Sequence, residues 1–252
     1  MTVHFIGAGP GAADLLTLRA VALLAASPVC VYAGTYVGPE ILAHCPPGAT
    51  LIDSRKLDLD QITAHLVRAH ASGHDVARLC SGDPSLYSAL TEQTRRLDEA
   101  GVPWDVTPGV PAYAASAALL GVELTVPEVA QTVILTRTQA VSTPMPASES
   151  LARLAGSRAT LVLHLAIRRT RELAAELAEE YGPACPVAVV ASATGPDEVV
   201  LRGTLGDIAD QVETAGLRQA AVILVGEALR GADRTDLVES HLYGKRDRDT
   251  KA

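Results

Sequence analysis

The sequence predicts an α/β protein made of two α/β domains, each built on a mixed, largely parallel sheet. Short apolar runs alternate with segments of helical periodicity along most of the chain. Hydrophobic residues make up 48% of the sequence and aromatic residues only 3%, so aliphatic side chains dominate, which suits buried parallel strands. The alternation breaks once, at residues 121–131, and then starts again, which indicates two cores.

The first domain, predicted over residues 1–121, contains four strand signals and five helix signals. Asp14 is expected to cap the first helix, and Pro28 is expected to end it. Gly73 is expected to close the third helix. The strands are predicted at 3–8, 29–34, within 74–84 and within 102–109, and the helices at 14–26, 39–43, 57–73, 86–100 and 112–120.

The second domain is predicted over residues 128–232 and repeats the alternation. A loop rich in Ser, Thr and Pro is predicted at 139–150, and residues 196–207 are expected to form a hairpin or strand. Residues 233–252 are expected to be an extension whose charged end is disordered. The remaining strands are predicted at 132–137, 159–165, 186–193 and 220–228, and the helices at 168–181 and 206–215.

The formal net charge of −8 argues against general nucleic-acid binding, which requires a basic surface. It leaves room for a local basic pocket that binds an anionic small molecule. No apolar run reaches the roughly 18 residues of a membrane span, and the start does not resemble a signal peptide. A cytoplasmic location without a membrane partner is therefore expected.

The cysteines are expected to be small buried hydrophobic residues. Cys30, Cys45, Cys80 and Cys185 form no C-x-x-C pair, and Cys30 and Cys80 lie within predicted strands. The sequence accordingly predicts neither a zinc site nor a disulfide, and no metal cofactor is expected.

The first turn, GAGPGA, matches the G-x-G-x-x-A pattern of dinucleotide sites through Gly7, Gly9 and Ala12. A dinucleotide fold also needs an acidic residue at the end of the second strand, and no acid occurs there before Glu40. Pro10 removes a backbone N–H from the turn. These features argue against NAD, and the alternative that the glycines only permit tight packing stays open.

Three loops follow predicted strands of the first domain, at 7–14, 80–90 and 107–121. Because ligands bind at the carboxyl ends of strands in an open parallel sheet, the three loops are expected to meet at one edge. Asp83 precedes Pro84, which holds its backbone extended and fixes the turn.

The same loops resemble three motifs of the class III S-adenosylmethionine-dependent tetrapyrrole methyltransferases: FIGAGPGAADLLTLRA, SGDPSLYSAL and TPGVPAYAASAA. The segments VILTR, TLVLHLA and VAVVASAT follow in the order expected of the second domain, so the resemblance covers about residues 1–230. Within the family, YAGTYVGPEIL (32–42) resembles the branch that methylates carbon 11 of precorrin-4 in cobalamin biosynthesis.

The resemblance implies a homodimer with S-adenosylmethionine in a cleft between the two domains. Asp83 and Arg137 are the candidate catalytic residues, and Asp83 is expected to act through turn geometry and hydrogen bonding more than as a base. The cofactor contacts that the resemblance implies are Pro10, Ser81, Gly82, Asp83, Leu86, Pro111, Ala112, Leu165, Ala193 and Thr194.

The implied substrate is a tetrapyrrole with many carboxylate groups, for which arginine is well suited because its fork bonds both oxygens. The candidate cations are Arg55, Lys56, Arg137, Arg168 and Arg169, with Arg137 favoured because it ends the VILTR strand. Tyr87 and Tyr113 could flank a ring, although core packing is an equal alternative. A solvated surface role is an equal alternative for each cation.

Methyl transfer to an electron-rich ring carbon needs chiefly alignment and exclusion of water, and alignment can supply about 7–11 kcal/mol. The lack of a Ser-His-Asp or G-x-S-x-G pattern agrees with such a reaction. The alternatives are the same step on cobalt-precorrin-4, methylation of another tetrapyrrole or ring carbon, diphthine synthesis, and a nucleotide-binding sensor without catalysis.

Overall fold

The structure is a computed structural model that describes residues 1–138 and 144–233. The chain forms two compact units. The first comprises Met1–Ala115 together with Ser192–Asp197, and the second comprises Ser116–Ala191 and the described residues from Glu198 onward. The predicted loop at 139–150 falls outside the described residues over 139–143, and so does the predicted disordered end of the chain.

The first unit contains a five-stranded sheet, within the described residues, whose strand pairs are all parallel. The strands are β1 (Val3–Gly7), β2 (Val29–Tyr32), β3 (Thr50–Asp53), β4 (Val76–Cys80) and β5 (Trp104–Thr107). Their order in the sheet is β3-β2-β4-β1-β5, so β4 is the central strand and β1 is its neighbour. The helices are α1 (Leu18–Ala26), α2 (Pro39–Leu42), α3 (Leu59–Ala71), α4 (Leu90–Glu99) and α5 (Ala112–Leu120).

Successive strand residues point to opposite sides of a sheet, and in this sheet apolar side chains are buried on both faces. Phe5 and Val31 belong to one buried cluster, and Ile6 and Cys30 belong to the other. Helix α3 shows how the covering helices are specified: Asp58 and Gln61 form a capping box at its start, and its apolar side faces the sheet.

The second unit also contains a five-stranded sheet within its described residues. Its elements are β6 (Val133–Arg137), α6 (Leu151–Ala155), β7 (Thr160–His164), α7 (Thr170–Tyr181), β8 (Pro186–Ala191), β9 (Val199–Thr204), α8 (Ile208–Thr214) and β10 (Ala221–Val225). The strand order is β6-β7-β10-β8-β9, in which only β6 and β7 pair in parallel and the other three pairs are antiparallel. The prediction of an α/β chain with two sheets is confirmed, and most of the parallel strand pairs belong to the first sheet.

The largest differences from the predicted helix starts are at α1 and α4, each of which begins four residues later than predicted. The first begins at Leu18, where the Thr17 hydroxyl accepts a hydrogen bond from Ala20 N at 3.1 Å, so Thr17 rather than Asp14 is its cap. Helix α4 begins at Leu90 because Tyr87 and Ala89 adopt positive φ angles of 53° and 54°, which no α-helix accommodates. Strand β3 and helix α6 were not predicted. The chain passes from the first unit to the second within α5, upstream of the predicted break.

All four cysteines are free thiols, and Cys30, Cys80 and Cys185 are buried as expected. None of the helices formed by residues 1–138 and 144–233 is long and apolar enough to cross a bilayer.

Candidate active site

The loops after β1 and β4 meet at the carboxyl edge of the first sheet. Gly9 N donates to Gly82 O at 3.2 Å, and Gly82 N donates back to Gly9 O at 2.8 Å. Ala8 N also donates to Cys80 O at 2.8 Å, so the pairing of the two strands runs directly into their loops. Two of the three predicted loops are therefore hydrogen-bonded to each other.

The third loop, after β5, packs against both of them through glycines. A Cβ atom on Gly7 would lie 2.8 Å from the carbonyl oxygen of Gly82, and one on Gly109 would lie 2.8 Å from the Cα of Gly7. Gly82 itself has φ +64°, which glycine adopts without strain. The three backbones approach so closely that a side chain at Gly7 or Gly109 would force the loops apart.

Asp83 fastens two of these loops with its carboxylate. Its Oδ2 accepts a hydrogen bond from Gly109 N at 2.8 Å, and its Oδ1 accepts from Ser85 N at 2.8 Å and from the Ser85 hydroxyl. Partial burial by itself raises the pKa of Asp83, but the hydrogen bonds from Ser85 and Gly109 outweigh burial and lower it below its usual value. The carboxylate is therefore ionised at neutral pH.

The segment Ser192–Asp197 joins the same group of loops. Ala12 N donates to the Thr194 hydroxyl at 3.0 Å, and a Cβ on Gly11 would lie 2.7 Å from Ala193 O. Because Gly11 has no side chain, the segment Ser192–Asp197 can pack against the first turn at this position. The structure brings Ala193 and Thr194 beside the turn that contains Pro10, although they are distant from it in sequence.

Several residues near the predicted ligand-binding positions have left-handed backbone conformations that only glycine adopts without strain. The φ angles are 53° at Tyr87, 54° at Leu165, 48° at Ser192 and 63° at Thr194. Such conformations tend to occur where ligands bind. The Leu165 side chain is moreover 67% exposed to solvent.

In the second unit, the parallel pair β6–β7 places Arg137 in register with His164, one residue before Leu165. Parallel strands end at the same edge of a sheet, so Arg137, the last residue of β6, and Leu165, the first residue after β7, lie at the same edge. Arg137 is half-buried, and its Nη1 donates to Thr138 O at 3.2 Å. Burial lowers the pKa of His164, which favours the neutral imidazole at pH 7.

Arg55 and Lys56 lie in a single 3₁₀ turn directly after β3, and both are exposed. Arg55 is held by Asp53: its Nε and its Nη2 each lie 2.6 Å from Asp53 Oδ2. Asp53 also accepts from Gly34 N at 3.2 Å, and these bonds, that from the Arg55 side chain first, lower its pKa to about 2. Gly34 belongs to the YAGTYVG segment, which is thereby fastened to the turn that carries the two cations.

Arg168 follows β7 and is exposed, and its Nε donates to Arg218 O at 3.1 Å. It lines a small surface pocket together with Val212 and Leu217. Arg169, a neighbour on the same turn, forms an ion pair with Glu172 at 2.8 Å.

The other predicted residues lie in the first unit. Ser81 and Tyr87 are exposed, and Tyr113 is half-buried in the first turn of α5. Pro111 accepts backbone hydrogen bonds from residues 114 and 115 and so starts that helix. The first unit contains Pro10, Ser81, Gly82, Asp83, Leu86, Pro111, Ala112, Ala193, Thr194, Arg55, Lys56, Tyr87 and Tyr113, whereas Leu165, Arg137 and Arg168 belong to the second.

Sequence reasoning missed the acceptors and donors that hold these residues. The sequence pattern does not single out Asp53, because it does not predict β3, and it does not single out Ser85. An Asp-x-Ser step after a strand is a signal for an Asx turn and could have indicated the role of Ser85. Among the described residues, no group of three or more His, Cys, Asp or Glu side chains is arranged to hold a metal ion.

Comparison with known proteins identifies the family. The sequence profile of the tetrapyrrole (corrin/porphyrin) methylases matches residues 2–209. The chain is 57% identical over 243 residues to the precorrin-4 C(11)-methyltransferase of Rhodococcus erythropolis, with 96% of each chain covered.

Two solved structures are similar to this fold. The X-ray structure of a cobalt precorrin-4 methyltransferase matches with a TM-score of 0.87 and 37% identity, covering 90% of this chain and 95% of the other. The uroporphyrin-III C-methyltransferase of Thermus thermophilus in complex with S-adenosylhomocysteine matches with a TM-score of 0.75 and 30% identity, covering 91% and 94%. The chain therefore belongs to the tetrapyrrole (corrin/porphyrin) methylase family.

Proposed function

We propose that the protein transfers a methyl group from S-adenosylmethionine to carbon 11 of precorrin-4, giving precorrin-5 in cobalamin biosynthesis. The observation that carries this proposal is the 57% identity, along 96% of both chains, to a relative named precorrin-4 C(11)-methyltransferase. The resemblance of the YAGTYVGPEIL segment to the same branch agrees with it.

The loops of the first unit fit the methyl donor. Their backbones approach closely at Gly7, Gly82 and Gly109, which leaves backbone polar groups rather than side chains at the carboxyl edge of the sheet. The residues proposed to hold the donor are Pro10, Ser81, Gly82, Asp83, Leu86, Pro111, Ala112, Ala193 and Thr194, and Leu165 is proposed as a further contact because of its exposure and left-handed backbone.

When bound, S-adenosylmethionine supplies a methyl group already activated by the positive charge on sulfur. The chain then needs to orient two reactants and exclude water, a contribution of about 7–11 kcal/mol when the alignment is good. Asp83 contributes by holding the loops: both of its oxygens accept hydrogen bonds from Ser85 or Gly109. We therefore assign Asp83 to positioning rather than to proton transfer.

The carboxylate groups of the substrate are proposed to meet Arg137, Arg55, Lys56 and Arg168, with Tyr87 and Tyr113 as flanking rings. Arg137 remains the favoured cation because it is half-buried at a strand end, where a guanidinium interacts more strongly than at an exposed position. Arg55 is already oriented by Asp53, which lowers the entropy lost when it binds a carboxylate.

Replacement of Arg137 tests the substrate assignment. The Arg137→Ala variant should raise the KM for precorrin-4 about 10-fold or more, because a charge-assisted hydrogen bond contributes about 1.5–3 kcal/mol. The KM for the methyl donor should change less than about 2-fold. Arg153→Ala, which removes an exposed arginine of α6, is the control and should leave both constants unchanged. An unchanged KM for precorrin-4 in Arg137→Ala would remove this residue from the substrate site.

Donor binding is tested by calorimetry with the unliganded protein. S-adenosylhomocysteine should bind with micromolar or tighter affinity, whereas NAD should give no heat of binding. A dinucleotide would need an acidic residue at the end of β2, and none follows that strand before Glu40. Asp53, which ends β3 and accepts a hydrogen bond from Gly34 N, is paired with Arg55. Binding of NAD without binding of S-adenosylhomocysteine would refute the assignment of the loops.

The same reaction on cobalt-precorrin-4 is the second candidate. It is favoured by the structural similarity to a cobalt precorrin-4 methyltransferase, at 37% identity. The higher identity to the metal-free branch favours precorrin-4. Competition between the two substrates for one labelled donor decides between them.

A cytoplasmic homodimer that binds no nucleic acid is also part of the proposal. The free thiols suit a reducing compartment, the net charge of −8 disfavours nucleic acid, and the family resemblance implies the dimer. Light scattering should give twice the chain mass of 26.2 kDa. A monomer at micromolar concentration would contradict the assembly.

A further inference from the structure

A buried arginine in the first sheet is not used by the proposed reaction. Arg78 is the third residue of β4, the central strand, and its side chain is on the same face as the cluster that contains Val76 and Cys80. The residue is only 8% exposed. Among the described residues, no carboxylate forms an ion pair with it, so a full positive charge lies in an apolar core with neutral partners.

The neutral partners lie on four different elements: strands β2 and β4, helix α4 and the 3₁₀ turn after β3. Arg78 Nε donates to Gln93 Oε1 at 2.9 Å, and Nη1 donates to Leu79 O at 3.3 Å. Nη1 also lies 3.5 Å from Val31 O and 3.5 Å from Ser54 Oγ. Because burying a charge is costly unless polar groups surround it, these oxygens must stay close to the guanidinium whenever the unit is folded.

Gln93 extends this contact to the loop after β4. Its amide oxygen accepts from Arg78, and its Nε2 donates to Ser88 O and to Ala89 O, each at 3.1 Å. Tyr87 and Ala89 have left-handed backbone conformations, which are strained for these residue types, so contacts with surrounding residues must stabilise this end of the loop. Gln93, itself 1% exposed, therefore joins Arg78 to the loop that contains Asp83.

Ser54 extends the contact to the loops after β2 and β3. Its hydroxyl donates to Tyr32 O at 3.0 Å, which leaves its lone pairs directed toward Arg78. Ser54 begins the turn that carries Arg55 and Lys56, and Tyr32 begins the YAGTYVG segment. One buried cation thus contacts, through two side chains, three loops at one edge of the sheet.

We propose that Arg78 is a positioning residue that couples the donor loop after β4, through Gln93, to the substrate loops after β2 and β3, through Ser54. The assignment of donor and substrate to these loops rests on the proposed function. The coupling itself is a property of the fold. Gln93→Glu and Ser54→Ala test the two connections separately, since each variant alters only one of the two side chains that contact the guanidinium.

Gln93→Glu tests the donor side. A carboxylate keeps the contact with Arg78 but, being ionised beside a guanidinium, has no N–H to give to Ser88 O and Ala89 O. The Kd for S-adenosylhomocysteine should rise at least 10-fold, whereas the KM for precorrin-4 should stay within 2-fold of the wild-type value, because the contact between Arg78 and Ser54 is kept. Gln61→Glu makes the same charge change at an exposed position of α3 and should leave the Kd unchanged.

Ser54→Ala tests the substrate side. The KM for precorrin-4 should rise at least 5-fold, whereas the Kd for S-adenosylhomocysteine should stay within 2-fold of the wild-type value. Arg78→Lys keeps the charge but not the two differently directed N–H groups, and it should raise both constants together. Amide hydrogen exchange should increase at residues 81–89 in Gln93→Glu and at residues 32–38 in Ser54→Ala.

A purely structural role for Arg78 predicts a different pattern. The variants would then lower the melting temperature without separating the two constants, and wild-type Kd and loop exchange in Gln93→Glu would overturn the proposal. If Arg78→Lys fails to fold, the other two variants still decide. If the unchanged protein methylates no precorrin, the proposed function fails, and the exchange measurements still decide whether the loops are coupled.

Discussion

At the scale of single residues, the contacts of Asp83 agree with the expectation that it acts through turn geometry and hydrogen bonding more than as a base. An acid in a Gly-rich loop invites assignment as a general base. Its oxygens instead accept hydrogen bonds from Gly109 N, Ser85 N and the Ser85 hydroxyl. These bonds stabilise the ionised form and lower the pKa, the opposite of what a base acting near neutral pH requires.

Substitution of Asp83 by asparagine should weaken donor binding. The amide group cannot accept at both former oxygen positions, so one of its N–H groups faces a backbone N–H, of Gly109 or of Ser85. We expect the Kd for S-adenosylhomocysteine to rise about 10- to 100-fold, equivalent to about 1.5–3 kcal/mol for lost charge-assisted bonds. Calorimetry measures this change, and an affinity equal to that of the wild type would exclude Asp83 from loop positioning.

Asp98→Asn is the matched control, because Asp98 accepts from Trp104 Nε1 at the opposite end of β5 and is exposed.

The pH dependence of stability provides a second test of the role of Asp83. A lowered folded-state pKa means that the stabilisation by Asp83 is fully present above its ordinary value of 3.8 and is lost as the pH falls through the folded pKa. The difference in the free energy of unfolding between the wild type and Asp83→Asn should accordingly be constant from neutral pH down to the ordinary pKa of 3.8. A difference that already shrinks near pH 6 would contradict the lowered pKa.

At the scale of elements, the close approach of three loops depends on glycines. Gly7→Ala should place a methyl group 2.8 Å from Gly82 O and against the backbone of Gly109, which must then move. Overpacking of this kind costs about 1–3 kcal/mol. Denaturant unfolding should show that loss, together with weaker S-adenosylhomocysteine binding. Gly156→Ala is the control, since its Cβ would meet no atom closer than 3.6 Å and its φ is −58°. Equal stability of the two variants would contradict the packing of the loops.

The sequence predicts most elements because apolar periodicity reflects burial. The central strands are buried almost throughout, and the amphipathic α3 carries a complete capping box. Strand β3 escaped prediction because it is an edge strand of four residues without a buried position. The start of α4 was misplaced because Tyr87 and Ala89 adopt left-handed angles that their residue types do not announce.

The site was predictable as a set of loops but not as a set of contacts. The motif-bearing loops after β1, β4 and β5 could be placed at one edge by the rule for parallel sheets. The hydrogen bond between Ala12 N and Thr194 joins residues 182 positions apart, and that between Gly34 N and Asp53 joins two separate loops. No local pattern encodes such pairings, because they depend on the tertiary arrangement.

At the scale of the whole molecule, an acidic chain is proposed to bind a substrate rich in carboxylates. Coulombic repulsion from the net charge of −8 is screened beyond about 8 Å at physiological ionic strength, so local cations decide the outcome. The candidates at strand ends are held individually, Arg55 by Asp53 and Arg168 by Arg218 O. This arrangement favours recognition by a few oriented guanidinium groups over a broad basic surface.

The central claim is that the chain places the methyl group on one ring carbon of precorrin-4. Purified protein is incubated with precorrin-4 and S-adenosylmethionine labelled with ¹³C in the methyl group, and the product is examined by carbon NMR. The account predicts a single new labelled methyl signal, attached to C11. A labelled methyl on another carbon, or no transfer under conditions where S-adenosylhomocysteine binds, would contradict it.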